Sequence, residues 1–290
     1  MPTLPAYAKV NLVLEVLGDR DDGYRELLSV FQTIDLADTL SLEPDDELTL
    51  SCDSPELPRE QNSVLQAAEL LRREAGYRKG AKISLHKRIP TGGGVGGHST
   101  DAAATLRGLN ELWELGLSTE TLSQMAARIS SDAPFFLHGG TALARGRGDK
   151  VTPLPPIPET WLVLLKPKTK LIPGKTAKVC ASLSPSSFTS GQLTQRFIQH
   201  LSQGLPPHSS PLFNVFEDVA FDFFTQLPWC RSQMLEAGAA SVHLTGTGPM
   251  LFTIAPDRAS AELLYHQLRE KGHEIYLAAT IEAQPTLNRS

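Results

Sequence analysis

Five glycines stand within six residues, at 92, 93, 94, 96 and 97, in the segment IPTGGGVGGHSTDAAATL that runs from Ile89 to Leu106. The approach to them alternates, Ile83 and Leu85 against Lys82, Ser84 and His86, as a half-buried strand does. Beyond them Ala102, Leu106, Leu109 and Trp113 recur at helical spacing, and Ser99 and Thr100 stand where a helix N-cap is expected. A glycine loop that opens a helix offers unpaired backbone N–H groups and the positive end of the helix dipole. Together these bind an anion, most often a phosphate. A sharp turn that needs glycine's backbone freedom would account for one or two of the five.

Two familiar phosphate loops fit poorly. The pattern G-x-x-x-x-G-K-[ST] requires a lysine that reaches the phosphates. Gly92 and Gly97 have its spacing, but His98 holds the lysine position, and imidazole is shorter and mostly neutral near pH 7. The dinucleotide pattern G-x-G-x-x-G is met by Gly92, Gly94 and Gly97. It also wants an acidic residue about 20 positions on, at a strand end, to hold a ribose hydroxyl. Glu111 and Glu114 instead accompany Leu109, Leu112 and Trp113 on a helix. Further candidates lie elsewhere. Lys9 shares a strand face with Asn11, away from Leu12 and Leu14, so an ammonium and an amide could line one site. A solvated lysine on an edge strand is the plainer alternative. Asp132 precedes Ala133 and Pro134, a common setting for a turn or cap aspartate.

The elements that must position these residues mix strands and helices. Residues 6–17 alternate as a strand, with Ala8, Val10, Leu12, Leu14 and Val16 on one side and Tyr7, Lys9, Asn11, Val13 and Glu15 on the other. Residues 27–43 continue as strand. Asn62–Glu74 is helical, with Val64, Ala67, Ala68 and Leu71 on one face, and Leu122–Ile129 is a second short helix. Thr141–Ala144 leads to a turn at Gly146 and Gly148. The run VTPLPPIP, residues 151–158, reads as a stiff linker, because proline removes donors and restricts the backbone. Trp161–Leu165 is a buried strand; Leu193–Leu201 and Phe213–Leu227 look helical; the chain then runs strand, turn, strand, helix (261–271) and strand (274–281). An α+β protein follows, with a seam near 155 that divides residues 1–155 from 156–290.

Composition narrows the classes. The chain has 290 residues, 41% hydrophobic and 20% charged, with 27 Lys plus Arg against 32 Asp plus Glu. The resulting −5 argues against a general nucleic-acid binder. No apolar run approaches the roughly 18 residues of a membrane span, and Lys9, Asn11 and Glu15 interrupt any signal-like stretch. Cys52, Cys180 and Cys230 form no CxxC, and the histidines form no HExxH. A reducing, cytoplasmic setting is the simplest reading.

The glycine segment resembles the phosphate loop of the superfamily of galacto-, homoserine, mevalonate and phosphomevalonate (GHMP) kinases, Pro-x-x-x-Gly-Leu-x-x-Ser-Ser followed by alanines. Pro90, Gly94, Val95, Ser99, Thr100 and Ala102–Ala104 carry the likeness. Three further segments are similar to family motifs and stand in the expected order: residues 6–40, SSDAPFFLHGG (130–140) and SVHLTGTGPMLFTI (241–254). The first resembles most the branch that phosphorylates the 2-hydroxyl of a cytidine-diphosphate-linked methylerythritol in non-mevalonate (MEP) isoprenoid synthesis. The resemblance implies an α+β, two-domain fold, a ribosomal-protein-like N-terminal domain joined to a ferredoxin-like one. It implies a kinase that uses ATP and Mg²⁺ on a small molecule, without nucleic-acid or membrane partners, as a monomer or homodimer.

Site residues follow from the same likeness. Pro90, Gly92, Gly93, Gly94, Val95, Gly96, Gly97, His98, Ser99 and Thr100 would cradle ATP, with Asn62 near the adenine or simply capping its helix. Ser99 or Thr100 could offer Mg²⁺ a hydroxyl; no carboxylate ligand is evident. Asp132 aligns with the catalytic base, and Lys9 would lower the acceptor's pKa and steady that aspartate. Asn11, Tyr24, Arg25, Thr176, Gly246 and Thr247 fall on the substrate side, where Gly246–Gly248 would also suit a tight hairpin. His138 reads as structural. Three positions depart from the family pattern. Arg25 replaces a histidine and can only donate. Cys180 replaces an aromatic that stacks on the base, a contact typically contributing about 1–3 kcal/mol. His98 replaces a small residue. Tyr24 could still stack on the base, and Arg25 could stack or reach its carbonyl. The first two departures leave open a kinase for another alcohol, mevalonate-like or a sugar; a non-catalytic nucleotide-binding protein is the third possibility.

Overall fold

The computed structural model describes residues 3–54 and 62–282. Seven strands form the first sheet: β1 (Thr3–Asp19), β2 (Arg25–Asp45), β3 (Leu48–Cys52), β4 (Gly80–His86), β5 (Thr141–Gly146), β6 (Lys150–Pro153) and, from far along the chain, β8 (Phe213–Asn214). Their order is β3-β4-β2-β1-β8. The edge of β2 away from β1 is shared, with β4 along Thr39–Asp45 and β5 along Leu27–Gln32. The second sheet is β11 (Glu274–Ala279), β7 (Trp161–Lys166), β10 (Leu251–Ala255) and β9 (His243–Leu244), all antiparallel.

Helices α1 (Ser63–Glu74), α2 (Gly97–Leu112) and α3 (Thr119–Ile129) cover one face of the first sheet. Leu4, Leu40, Leu42 and Ile83 from the strands pack there with Val64, Leu71, Leu106 and Leu109. The opposite face meets the second sheet. Val10, Leu12, Val30 and Ile34 join Leu162, Leu164 and Phe252 in one core, while Val163 and Leu165 face α7 (Glu217–Phe223), α8 (Leu227–Glu236) and α9 (Arg258–Glu270). Strand β7 is therefore apolar on both sides, which is why WLVLL shows no alternation. Three short or peripheral helices complete the chain: α4 (Phe135–His138), α5 (Lys175–Ala181) and α6 (Gln192–Ser202). No helix among the described residues is long and apolar enough to cross a membrane.

Four expectations change. The alternation of β1 is not strict, because its register to β2 shifts between Tyr7 and Lys9, between Asn11 and Val13 and between Val16 and Gly18. Bulges of this kind re-aim side chains, and Val13 joins Leu12 in one core while Leu14 and Val16 enter another. The polar side of β1 is not solvated either: Lys9, Asn11 and Glu15 are buried. The helix expected at 213–227 is broken, since Phe213 and Asn214 pair in parallel with Val13 and Leu14 before α7 begins. The proline run starts within a strand, for Pro153 pairs with Ala142 on the edge strand β6, where a missing donor is tolerated.

Asn214 holds this crossing strand. Its Nδ2 donates to the carbonyls of Leu244 (2.9 Å) and Gly246 (2.8 Å), and its Oδ1 accepts from the Phe216 amide (3.0 Å). Replacing Asn214 by Ala should lower stability by roughly 2–3 kcal/mol, because buried backbone groups lose their partners. Urea denaturation would show this as a lower midpoint at unchanged slope; a midpoint equal to that of the parent protein would refute it.

Candidate active site

The glycine loop is bent by positive φ at Gly92 (+74°), Gly94 (+87°) and Gly96 (+81°), a region that side chains with Cβ seldom adopt. It is also clasped by its neighbours. A Cβ on Gly94 would stand 2.6 Å from the Thr245 carbonyl oxygen, and one on Gly96 would stand 2.4 Å from Phe136. Gly96 ends the bend, and α2 begins at Gly97, so Ser99 and Thr100 lie inside the first turn and do not cap it. The first helical bond runs from Thr100 N–H to the Gly96 carbonyl (2.9 Å). The amides of Gly97, His98 and Ser99 precede it, the arrangement that suits an anion at a helix start. The Thr100 hydroxyl is buried without a partner among the described residues, and Ser99 Oγ lies 2.6 Å from Ser130 Oγ.

Lys9 joins this loop twice. Its amide donates to the Val95 carbonyl (2.9 Å), and its side chain runs past Gly96. The buried ammonium donates to Asn11 Oδ1 (2.7 Å), stands 3.3 Å from Asp132 Oδ2 and lies 4.6 Å from the centre of the Phe31 ring. Asp132 is 30% exposed and therefore open to a ligand, whereas Lys9 at 3% is enclosed. Asp132 precedes the short helix that carries Phe136, so the Phe136–Gly96 contact and the Ser130–Ser99 bond lock the aspartate segment to the loop.

The turn 245–248 closes the other side. Asn11 Oδ1 accepts from Gly246 N–H (2.9 Å) and Thr245 Oγ1 (3.4 Å) as well as from Lys9, and Asn11 Nδ2 donates to Ser29 Oγ (2.9 Å). Thr245 Oγ1 also lies 3.3 Å from the Gly94 carbonyl, and Met250 N–H donates to the Gly93 carbonyl (3.2 Å). The two glycine turns thus pack against each other, with Lys9, Asn11 and Asp132 beside them. Thr247 Oγ1 stands 3.5 Å from Thr176 Oγ1.

The residues at the hairpin end of β1 and β2 behave differently from expectation. Tyr24 is 51% exposed, with the Arg147 guanidinium 4.9 Å from its ring. The donors of Arg25 face the protein: it pairs with Asp19, donates to the carbonyls of Cys180 (3.2 Å) and Leu183 (3.4 Å), and covers the Phe188 ring at 5.2 Å. Through these contacts Arg25 ties the hairpin to the end of α5. Asn62 is the buried N-cap of α1, its Oδ1 accepting from Val64 N–H (3.0 Å). His98 stays solvent-accessible at the loop rim. The surrounding protein and the Lys87 ammonium both hold its pKa below the usual range. His138 is the last residue of α4 and is partly buried.

A buried ionic cluster beneath the loop had no signal in the motif reading. Lys87 is clamped between Asp38 and Asp101 (2.6 Å), and Asp38 also accepts from the amides of Arg88 (2.5 Å) and Ile89 (2.7 Å). Burial opposes the Lys87 charge, yet the two carboxylates outweigh it and raise its pKa, while burial lifts that of Asp101. The cluster joins β2, the strand leading into the loop and the first turns of α2. Charges at positions that periodicity assigns to the interior, Asp38 and Asp101, were the available clue. Beside it lies a cavity of about 290 Å³ lined by Asp53, Ser54 and residues 87–91. Lys175 was also missed; its ammonium donates to the carbonyls of Gly92 (3.2 Å) and Gly248.

Comparison with known proteins agrees with this geometry. Residues 62–140 match the GHMP kinases N terminal domain and residues 201–274 the GHMP kinases C terminal domain. The chain belongs to the GHMP kinase family, and it has that family's two-domain α+β fold. It is 45% identical over 281 residues to the 4-diphosphocytidyl-2-C-methyl-D-erythritol kinase of Dehalococcoides mccartyi strain 195, covering 97% of this chain and 99% of that one. The enzyme of the same name from Enterococcus faecalis is 36% identical, covering 96% and 98%. A crystal structure of 4-(cytidine 5'-diphospho)-2C-methyl-D-erythritol kinase superposes with a TM-score of 0.81 at 32% identity, over 96% of this chain and 98% of that one. The fold alone is shared with L. major mevalonate kinase (TM-score 0.73, 17% identity, 99% and 97% covered).

Gly94→Ala should separate the two glycine turns, since it combines an unfavourable φ with a backbone clash. It should cost about 1–3 kcal/mol in thermal denaturation and reduce phosphoryl transfer by at least roughly tenfold. Parent-like melting and turnover would contradict the packing described.

Proposed function

We propose that the chain transfers the terminal phosphoryl group of ATP to the 2-hydroxyl of 4-diphosphocytidyl-2-C-methyl-D-erythritol, a step of the non-mevalonate (MEP) route to isoprenoid precursors. The observation that carries this reading is the 3.3 Å approach of Lys9 to Asp132 at the rim of the glycine loop, in a chain 45% identical over almost its whole length to a kinase named for that substrate.

The residues present suit a polyphosphate. The loop from Pro90 to Gly97 and the first-turn amides of His98 and Ser99 hold the phosphates, with the Thr100 hydroxyl beside them. Asn62 lies on the adenine side, and the half-chain 1–155 carries this nucleotide site. Mg²⁺, when bound, would neutralise part of the phosphate charge. Among the described residues there is no group of three or more His, Cys, Asp or Glu placed to hold a metal. Such an ion would therefore depend on phosphate oxygens, water and the hydroxyl of Ser99 or Thr100, a common way of binding it.

Asp132 takes the proton from the acceptor hydroxyl. Lys9 beside it stabilises the developing alkoxide by its charge. Asn11 keeps the Lys9 ammonium in place. Gly246, Thr247 and Thr176, from the half-chain 156–290, face the acceptor, and Tyr24 offers its exposed ring to the base. Arg25 acts from behind, by fixing the hairpin that presents Tyr24. The setting we propose is cytoplasmic, with the protein a monomer or homodimer that has no nucleic-acid or membrane partner. The three cysteines are free thiols, as that setting requires.

One observation favours a second acceptor class: Arg25 is occupied and Cys180 brings no ring, so the cytidine contacts differ from the family pattern. Competition by CDP and CMP in an ADP-release assay decides between them. Inhibition by both is expected here; indifference to both, with turnover of a mevalonate-like or sugar alcohol, would favour the second. For the chemistry, Asp132→Asn should lower kcat by about 10²–10⁴-fold while ATP still binds in calorimetric titration. Turnover within twofold of the parent would remove Asp132 from its assigned role.

A further inference from the structure

Three ammonium groups surround the glycine loop, and their partners differ. Lys9 has Asp132, and Lys87 has Asp38 and Asp101. Lys175 has no carboxylate among the described residues; its Nζ donates to two neutral acceptors, the Gly92 carbonyl on the phosphate loop (3.2 Å) and the Gly248 carbonyl on the opposing turn. The segment before it closes over the loop, since a Cβ on Gly92 would meet the Leu171 side chain at 3.0 Å. Thr176, the next residue, lies 3.5 Å from Thr247. Lys175 thus bridges the two glycine turns at the mouth where a polyphosphate would enter.

This cation is poorly compensated where it stands. Burial and then the positive charge of Lys9 pull its pKa down to about 8, and the Cys180 thiol on its own helix acts weakly the other way. Two carbonyl dipoles accept from it without neutralising its charge, whereas a phosphate oxygen would do both in a shorter, stronger bond.

We propose that Lys175 is a phosphate-binding residue of this kinase, exchanging the Gly92 and Gly248 carbonyls for phosphate oxygens when substrate enters. The proposal rests on the kinase reading above. The oxygens come either from ATP or from the diphosphate of the acceptor, and both sources can be tested.

The experiment measures the rise in melting temperature produced by ATP and, separately, by CDP on the full chain, on Lys175→Met and on Lys175→Arg, each against its own ligand-free baseline. Loss of the ATP shift in Lys175→Met assigns the residue to the nucleotide; loss of the CDP shift assigns it to the acceptor diphosphate. Either should accompany a fall in kcat/KM of roughly 10- to 100-fold. The affected shift should weaken in the parent protein as pH rises past about 8, where the free ammonium loses its proton, and should hold at that pH in Lys175→Arg. Unchanged ATP and CDP shifts in Lys175→Met, with only a lower baseline, would make Lys175 a structural clip and overturn the proposal. Equal weakening with pH in Lys175→Arg would count against it as well. Should the parent protein bind both ligands but fail to phosphorylate the acceptor, the kinase assignment falls while the shifts still decide what Lys175 holds.

Discussion

The Lys9 ammonium, held between the Asn11 carboxamide oxygen and the Asp132 carboxylate, is the contact on which the rest of the site is arranged. Enclosing a charge is expensive, and losing one partner of a buried pair typically costs about 3–5 kcal/mol. The protein meets the Lys9 side chain from two sides, at 2.7 Å and 3.3 Å. Asn11 is suited to this in a way that aspartate would not be. Its oxygen accepts from Lys9, Gly246 and Thr245, while its nitrogen donates to Ser29. A carboxylate there would compete with Asp132 for the ammonium and could give Ser29 no hydrogen. One neutral amide therefore holds the lysine, the turn at 245–248 and strand β2 in a single register, and leaves Asp132 as the ionic partner facing outward.

That arrangement requires β1 to be unusual. A strand buried on both faces normally carries only apolar residues, yet Lys9, Asn11 and Glu15 all lie within it. The register shifts on either side of the Lys9–Asn11 stretch let two polar side chains point into the site while Ala8, Val10, Leu12 and Val13 stay in the inter-sheet core. Glu15 is accommodated by a different device, accepting from the Thr194 amide at 2.7 Å in the first turn of α6. The same economy of position holds under the loop. Asp38, Lys87 and Asp101 tie three elements together at the start of α2, so the bend is braced there as well as at the turn 245–248.

Much of this was legible in the residues, and what was not has physical causes. Gly92, Gly94 and Gly96 announced a bend because only glycine takes those backbone angles cheaply, and the helix after them showed its period plainly. The pairing of Lys9 with Asn11 followed from strand geometry. The helix begins at least three residues before the Ser99 cap that the sequence suggested, since Gly96 at φ +81° takes the cap position and leaves Ser99 to bond Ser130. Phe213 and Asn214 looked helical because a two-residue strand has no period to read; a distant strand, β1, recruits them. Arg25 was placed on the substrate side by its position after Tyr24 in the family motif, and only tertiary packing reveals that its donors meet Asp19, Cys180 and Leu183. Lys175 sat in a segment without pattern, and its meaning depends on two carbonyls far away in sequence.

A double-mutant cycle in turnover tests most directly whether Lys9 and Asp132 work as one unit. The account predicts that Lys9→Met and Asp132→Asn together slow kcat by about as much as either alone, because each substitution already dismantles the shared proton-transfer site. If the two losses instead multiply, with the double variant slower by the product of the single effects, the lysine and the aspartate act independently and the central pairing has no catalytic meaning.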